Sequence, residues 1–240
     1  MEVAPGIHRF ATGDFNWYVV DDGGRLTVVD CGWPRHYGVL IRGLAAMGRS
    51  VADVEAVLLT HAHADHTGFA ERLRRAADAT VWVHEADRAM AEKRGQLPWA
   101  ALVTNAWRRQ TRSMLIAGGV SGVFRLPRVA ETRTFDDGQT LDVPGRPTVI
   151  HTPGHTPGQV SFHLPDRRAV VCGDTLLTLD LLTGETTPPR LAFDALNAAV
   201  DTARDSLSRL RGLGEVTVLT GHGPPWRGEL DLELDRIAAR

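Results

Sequence analysis

Apolar residues in the first third of the chain change period several times, and those changes predict strand, strand, helix, strand, helix, strand. Asn16 to Val20 and Arg25 to Asp30 are short β-rich runs separated by Asp21-Asp22-Gly23-Gly24. Glycines there supply the positive φ angles of a tight turn, so a hairpin is expected. Pro34 opens a segment with Val39, Ile41, Leu44 and Met47 at near-helical spacing, which stops before Gly48. Val54 to Thr60 is a short apolar run of the buried-strand type. Thr67 to Ala77 has helical spacing through Phe69, Leu73 and Ala76, and Thr80 to Val83 returns to strand.

The pattern breaks between about Glu85 and Arg128, a stretch rich in Ala, Arg and Trp without strand alternation, which predicts two or three helices inserted as a cap. Strand signals resume after Phe135-Asp136-Asp137-Gly138, at Thr148 to Ile150, Val160 to His163 and Ala169 to Cys172, with Pro and Gly between them. Asp194 is placed to cap a helix reaching about Arg211 through Leu196, Val200, Leu207 and Leu210. A strand, Val216 to Leu219, and a short terminal helix follow. Helices alternate with strands in both halves, which suits an α/β fold of two sheets covered by helices on the outside. A single domain over residues 1–240, carrying the cap at about 85–130, is the expected organisation.

Composition narrows the partners. Lys plus Arg number 27 against 29 Asp plus Glu, a net charge of −2, so no overall field favours nucleic acid or an anionic membrane, and a small molecule is the expected partner. No apolar run reaches bilayer length, and Met1 to Phe10 lacks a basic flank and an apolar core. A soluble, cytoplasmic protein is expected, with the oligomeric state open and a homodimer among the options. Cys31 and Cys172 each end an apolar run, where a thiol behaves as a small buried hydrophobe rather than half of a disulfide.

Four places carry chemistry, and each follows a predicted strand. Thr60-His61-Ala62-His63-Ala64-Asp65-His66 crowds four cation-binding groups into six positions; His61 and His63 can share a direction, with Asp65 and His66 beyond the turn. His151-Thr152-Pro153-Gly154-His155-Thr156-Pro157-Gly158 is a loop shaped by two Pro-Gly pairs; either His151 or His155 could point inward, and His155, between the turns, is the better placed. Cys172-Gly173-Asp174-Thr175 sets a carboxylate at a strand end, where burial is costly unless a cation compensates it. Thr220-Gly221-His222-Gly223 adds a histidine between glycines. Loops beyond strand ends converge on one cleft in α/β proteins, so the four clusters are expected to meet. Nitrogen and carboxylate donors without thiolate make zinc the default metal, with iron, manganese or cobalt as alternatives.

The series His61-x-His63-x-Asp65-His66, His155, Asp174 and His222 resembles the ligand set of the metallo-β-lactamase superfamily, and Val29-Asp30-Cys31-Gly32 is similar to that family's early strand ending in Asp and Gly. The resemblance implies an αββα sandwich of two mixed β-sheets flanked by helices. It further implies that His61, His63 and His155 bind one metal, that Asp65, His66 and His222 bind a second, and that Asp174 bridges them. Asp30 would then support the site from behind. The implied function is a zinc-dependent binuclear hydrolase in which a metal-bridging hydroxide attacks the carbonyl of an ester, thioester or lactone, with Asp65 orienting or shuttling a proton.

An aspartate at 174, where many zinc β-lactamases use cysteine, points to the lactonase, glyoxalase II-like and thioesterase branches. Only eighteen residues follow His222, too few for the glutathione-binding helical domain of glyoxalase II, and Leu177 stands where well-known acyl-homoserine lactonases carry tyrosine. Three other readings compete: a phosphodiesterase acting on a small phosphodiester, a mono-iron sulfur dioxygenase, and a non-catalytic metal-binding protein. Trp99, Trp107, Arg108 and Arg109 of the insert either form an aromatic and basic lid or pack the insert onto the body. Phe15, Trp17 and Trp33 either line the cleft or pack beneath it. His8, His36, His84 and His163 are expected to be structural or surface residues, and His151 to support the site from behind.

Overall fold

The computed structural model describes residues 1–93 and 103–239. Two sheets form the centre. The first has seven strands in the order β1 to β7: β1 (Glu2–Ala4), β2 (Ile7–Thr12), β3 (Phe15–Asp22), β4 (Arg25–Val29), β5 (Val54–Leu58), β6 (Thr80–His84) and β7 (Arg133–Phe135). Its first four strands run antiparallel and the rest are parallel, because short turns join the former and helices the latter. The second sheet uses β8 (Thr148–His151), β9 (Val160–Leu164), β10 (Ala169–Gly173), β13 (Glu215–Thr220) and β14 (Trp226–Glu229), in the order β14-β13-β10-β9-β8. Only β10 and β13 pair in parallel there. A separate ribbon joins β11 (Leu177–Leu179) to β12 (Thr186–Arg190).

Three apolar layers hold these parts together, as the alternation within the strands requires. Tyr18, Val20, Val29 and Leu58 from the first sheet meet Val149, Phe162, Val171 and Leu219 from the second. Outside the first sheet, Leu40 and Leu44 of helix Tyr37–Ala46 and Leu73 of helix Ala70–Ala77 cover Val28, Val57 and Val81. Outside the second, Leu207, Leu210, Leu230 and Leu234 cover Val170, Val216 and Val218. This is the expected αββα sandwich of mixed sheets. The hairpin at 16–30 is present as β3 and β4, and both cysteines are free and buried. Among the described residues, no helix is long and apolar enough to cross a membrane.

Two helices are shorter than their periodicity predicts, and in both cases tertiary hydrogen bonds interrupt them. The helix expected from Thr67 to Ala77 is divided into Ala64–Thr67 and Ala70–Ala77. At the break, Gly68 N and Phe69 N donate to the carbonyls of Gly32 and Cys31, and Cys31 N donates to His66 O. A side chain on Gly68 would collide with the Gly32 carbonyl, so only glycine lets these two loops join. The helix expected from Asp194 to Arg211 is three pieces: short 3-10 turns at Asp194–Leu196 and Leu207–Leu210, with α-helix only at Val200–Ser206. Ala198 N and Ala199 N, which a continuous helix would use internally, donate instead to His155 O and Gly154 O. Both interruptions anchor a loop that carries site residues.

Within the region read as a cap, helices run over Glu85–Lys93 and Arg109–Ser121. Trp99 lies outside the described residues.

Candidate metal centre

All four clusters leave their strands at the same end of the sandwich, and the structure brings the seven side chains together. His61, His63, Asp65 and His66 follow β5; His155 follows β8; Asp174 follows β10; His222 follows β13. The loops are stitched to one another by backbone bonds, Val160 N to Thr60 O at 2.8 Å and Gly221 N to Gly173 O at 2.8 Å. Glycine is needed at 221, because a Cβ there would strike the Asp174 carboxylate.

Three groups each place potential ligand atoms within 4.8 Å of one another: His61 with His63 and His155, His61 with His66 and Asp174, and Asp65 with His66 and His222. Asp174 sits between the outer two groups, its Oδ2 3.4 Å from His155 Nε2 and 3.3 Å from His222 Nε2. His155 Nε2 and His63 Nδ1 are 2.9 Å apart. Asp65 Oδ2 lies 3.5 Å from His222 Nε2.

Several buried atoms here have no hydrogen-bond partner in the protein: His61 Nε2, His66 Nε2, His155 Nδ1 and Asp174 Oδ1. His66 Nε2 and Asp174 Oδ1 approach to 3.5 Å without meeting hydrogen-bond geometry. Buried polar atoms are rarely left unpaired, and those of His61, His66 and Asp174, which belong to one of the groups above, suit a shared cation. The opposite ring nitrogens are occupied. His66 Nδ1 meets Asp30 Oδ2 at 2.8 Å, His61 Nδ1 meets Thr60 Oγ1 at 3.1 Å, and His222 Nδ1 meets Asp14 O at 2.9 Å. Asp30 also accepts from Thr60 N and Thr60 Oγ1. Each partner fixes a ring so that Nε2 faces the cluster. Asp30 therefore supports the site from behind, as the resemblance implied, and does so through His66.

Electrostatics favour cation capture. Burial, reinforced by neighbouring imidazoles, lowers His61 well below the usual histidine range; burial and His63 bring His155 down to about 3. Both rings are thus neutral, the form that binds metal. Burial works against ionisation of Asp65 and Asp174, but His66 and His222 outweigh it, bringing Asp65 to about 2 and Asp174 well below its usual value. Burial likewise opposes the cationic forms of His66 and His222. The carboxylates win: Asp30, Asp174 and Asp65 raise His66 to about 9, and Asp174 with Asp65 raise His222 well above the usual range, so these two rings hold protons that a metal cation would displace.

Sequence reasoning overlooked Asp87. It is fully buried on helix Glu85–Lys93 and accepts from Ala62 N at 3.0 Å, Thr156 Oγ1 at 2.7 Å and Gly158 N at 2.8 Å. It thereby clamps the loop of His61 and His63 to the loop of His155. A lone Asp in a polar helix gives no signal of this in one dimension.

His151 turns away from the cluster. It stacks on His84, ring centroids 4.0 Å apart, and its Nε2 meets Pro157 O at 2.9 Å, bracing the His155 loop. His36 is structural, taking a hydrogen bond from Trp33 N at Nδ1 and meeting Ser121 Oγ at Nε2.

Above the cluster is a cavity of about 220 Å³, with His63, Asp65, His155, Asp174 and His222 on one side. Phe15 and Trp33 line it; Trp17 does not, being buried between Phe10, His36 and Phe69. Of the two readings left open for the insert, the lid is not made by Trp107, Arg108 or Arg109. Trp107 is 69% exposed with Arg108 stacked over its ring, and Arg109 is exposed, so what faces the cavity is Thr111, Met114, Leu115 and Gly118, one side of helix Arg109–Ser121. The helix turns its apolar side inward because that side closes over Phe15 and Trp33.

Known proteins are similar to this chain. The family profile of the metallo-beta-lactamase superfamily matches residues 13–222. The chain is 26% identical to probable metallo-hydrolase YflN of Bacillus subtilis (strain 168), over 95% of this chain and 88% of that one. It is 26% identical to hydroxyacylglutathione hydrolase GloC of Haemophilus influenzae, over 71% and 69% of the two chains. Among solved structures, TTHA1623 in a di-iron-bound form is similar with a TM-score of 0.63 and 28% identity, covering 95% of this chain and 96% of that one. The chain belongs to the metallo-beta-lactamase superfamily and carries the histidine and aspartate groups of a metallo-hydrolase.

Proposed function

We propose that the chain is a binuclear metal-dependent hydrolase that cleaves the acyl bond of a small-molecule ester, thioester or lactone. The observation that carries this reading is the pair of three-residue groups, His61-His63-His155 and Asp65-His66-His222, with Asp174 between them at the wall of a cavity. The first group would hold one divalent cation, the second another, and Asp174 would touch both. Zinc suits the nitrogen and carboxylate donors, and the di-iron form of TTHA1623 makes iron the specific alternative. Bound there, two divalent cations supply Lewis acidity, which lowers the pKa of water towards neutrality and draws electron density from a carbonyl oxygen.

The chain's own residues do the rest. Asp30, Thr60 and Asp14 hold three imidazoles in one tautomer and orientation. Asp65 lines the cavity, and with its Oδ2 3.5 Å from His222 Nε2 it would hold the second cation and orient a water beside it. Its low pKa of about 2 suits orientation better than proton abstraction. The apolar walls exclude bulk water and strengthen the electrostatics within. GloC, a relative named for hydroxyacylglutathione hydrolysis, supports acyl-bond chemistry for this chain. Metal-loaded protein is expected to hydrolyse at least one class in a panel of esters, thioesters and lactones. Absence of turnover across that panel, at full metal occupancy, would overturn the reading.

A further inference from the structure

The metal-binding residues make up part of the cavity lining, and the rest, Thr111 apart, is a hydrocarbon wall. Phe15, Trp33, Met114, Leu115, Phe193 and Leu196 supply it, from four separate segments of the chain. The wall begins at the cluster itself, since Phe15 lies edge-on to His222 at 5.3 Å and edge-on to Trp33 at 5.6 Å. Gly118 faces that indole: a Cβ there would make ordinary contact with the Trp33 ring at 3.4 Å, and a larger side chain would fill the space between them.

Charge is distributed just as unevenly. The carboxylates in the lining are Asp65 and Asp174, and among the described residues no Lys or Arg lines the cavity. A substrate anion remote from the cluster would therefore be desolvated with no cation to receive it, whereas an aliphatic or aromatic group gains by leaving water. A carrier such as glutathione, with two carboxylates and an ammonium, has no partner for those charges among the described residues of this wall.

We propose that the wall is a pocket for an uncharged apolar group of several carbons, attached to the scissile carbonyl. The assignment rests on the carbonyl-hydrolase reading above and specifies its substrate class. Two measurements separate them. The first is calorimetric titration of neutral amides, from butanamide to octanamide, into metal-loaded and into chelator-treated protein; affinity is expected to rise about fourfold per methylene in both until the pocket is full. The second is kcat/KM for acetyl, butanoyl, hexanoyl, octanoyl and succinyl thioesters of one simple thiol. Octanoyl is expected to exceed acetyl by about tenfold or more, and charged succinyl to rank last. Leu115→Lys, at a half-buried position, and Gly118→Leu, at a buried one facing Trp33, are expected to abolish the dependence on length in both measurements, with unchanged metal content and unfolding transition as the check that each variant folds. Binding that is flat with chain length, or a preference for succinyl, overturns the pocket while leaving the hydrolase intact. Length-dependent binding with no turnover of any ester, thioester or lactone supports the pocket and overturns the hydrolase.

Discussion

The two sides of the cavity are built on different principles. On the metal-binding side, seven side chains from four loops are buried or nearly so, and neighbouring residues hold them: Asp30 on His66, Thr60 on His61, Asp14 on His222, Asp87 between two loops. On the opposite side, helix Arg109–Ser121 is tied down by peripheral contacts, Gln110 to Asp14, Ser121 to His36 and Arg35 to the Val120 carbonyl. Its outer face leaves Ile116 and Val120 more than 60% exposed. Chemistry at a metal pair needs atoms fixed to a fraction of an ångström, whereas accommodating an apolar group needs mainly shape and dryness. Substitutions on the first side should therefore change metal binding and rate, and those on the second should change selectivity.

The contrast is tested most severely at Asp174. Asp174→Ala removes the carboxylate between the two groups, and activity is expected to fall by more than about a thousandfold with loss of bound metal. A variant keeping both cations and normal turnover would show that the carboxylate is not shared. Asp87→Ala tests whether clamping matters as much as ligation. Three buried donors lose their acceptor, and a destabilisation of roughly 3 kcal/mol is expected in urea unfolding, with weaker metal retention in a chelator competition. Unchanged unfolding and retention would remove Asp87 from the account.

His36 tests the junction of the two sides. Burial lowers it to about 4, with Asp65 partly opposing. Above pH 6.5 it is neutral in both folded and unfolded chains and costs nothing. As pH falls from 6.5 to 4, the unfolded chain takes up a proton that the folded one refuses. Stability is thus lost across that window, by up to roughly 3 kcal/mol relative to a His36→Asn variant. Unfolding free energies at pH 7.5, 5.5 and 4.5 measure the difference, and parallel profiles for the two proteins would contradict it. The smallest effect is expected at Ile116, 67% exposed on the outer face. Ile116→Asp should change stability by less than about 0.5 kcal/mol and leave selectivity untouched. A changed thioester preference in that variant would mean that the outer face also meets substrate.

Much of the metal-binding side was legible in the sequence, because its signal is chemical and local. Four donors between His61 and His66, and a histidine between two Pro-Gly pairs, are seldom gathered except to hold a cation. The residues that support them were legible only in part. Asp30 stood out through the family resemblance, whereas Asp87 binds its loops across distances that a linear pattern does not show. Helices were misjudged where backbone donors serve another loop, at Gly68-Phe69 and Ala198-Ala199, since periodicity cannot register a tertiary acceptor. The edge strand β1 and its neighbour β2, the ribbon of β11 and β12, and β14 also went unread. Thr186–Arg190 contains two prolines, and Trp226–Glu229 is largely exposed, so neither shows the apolar alternation of a buried strand. On the apolar side, aromatic and basic residues of the insert drew attention, yet its inward face is Met114, Leu115 and Gly118, ordinary residues whose role depends on which way the helix turns.

The central claim is that seven side chains form one site for two cations. Elemental analysis of protein purified without chelator, repeated after loading with zinc and with iron, tests this most directly. The account predicts two tightly held cations per chain in the wild type. A saturated stoichiometry of one, or none, would contradict it.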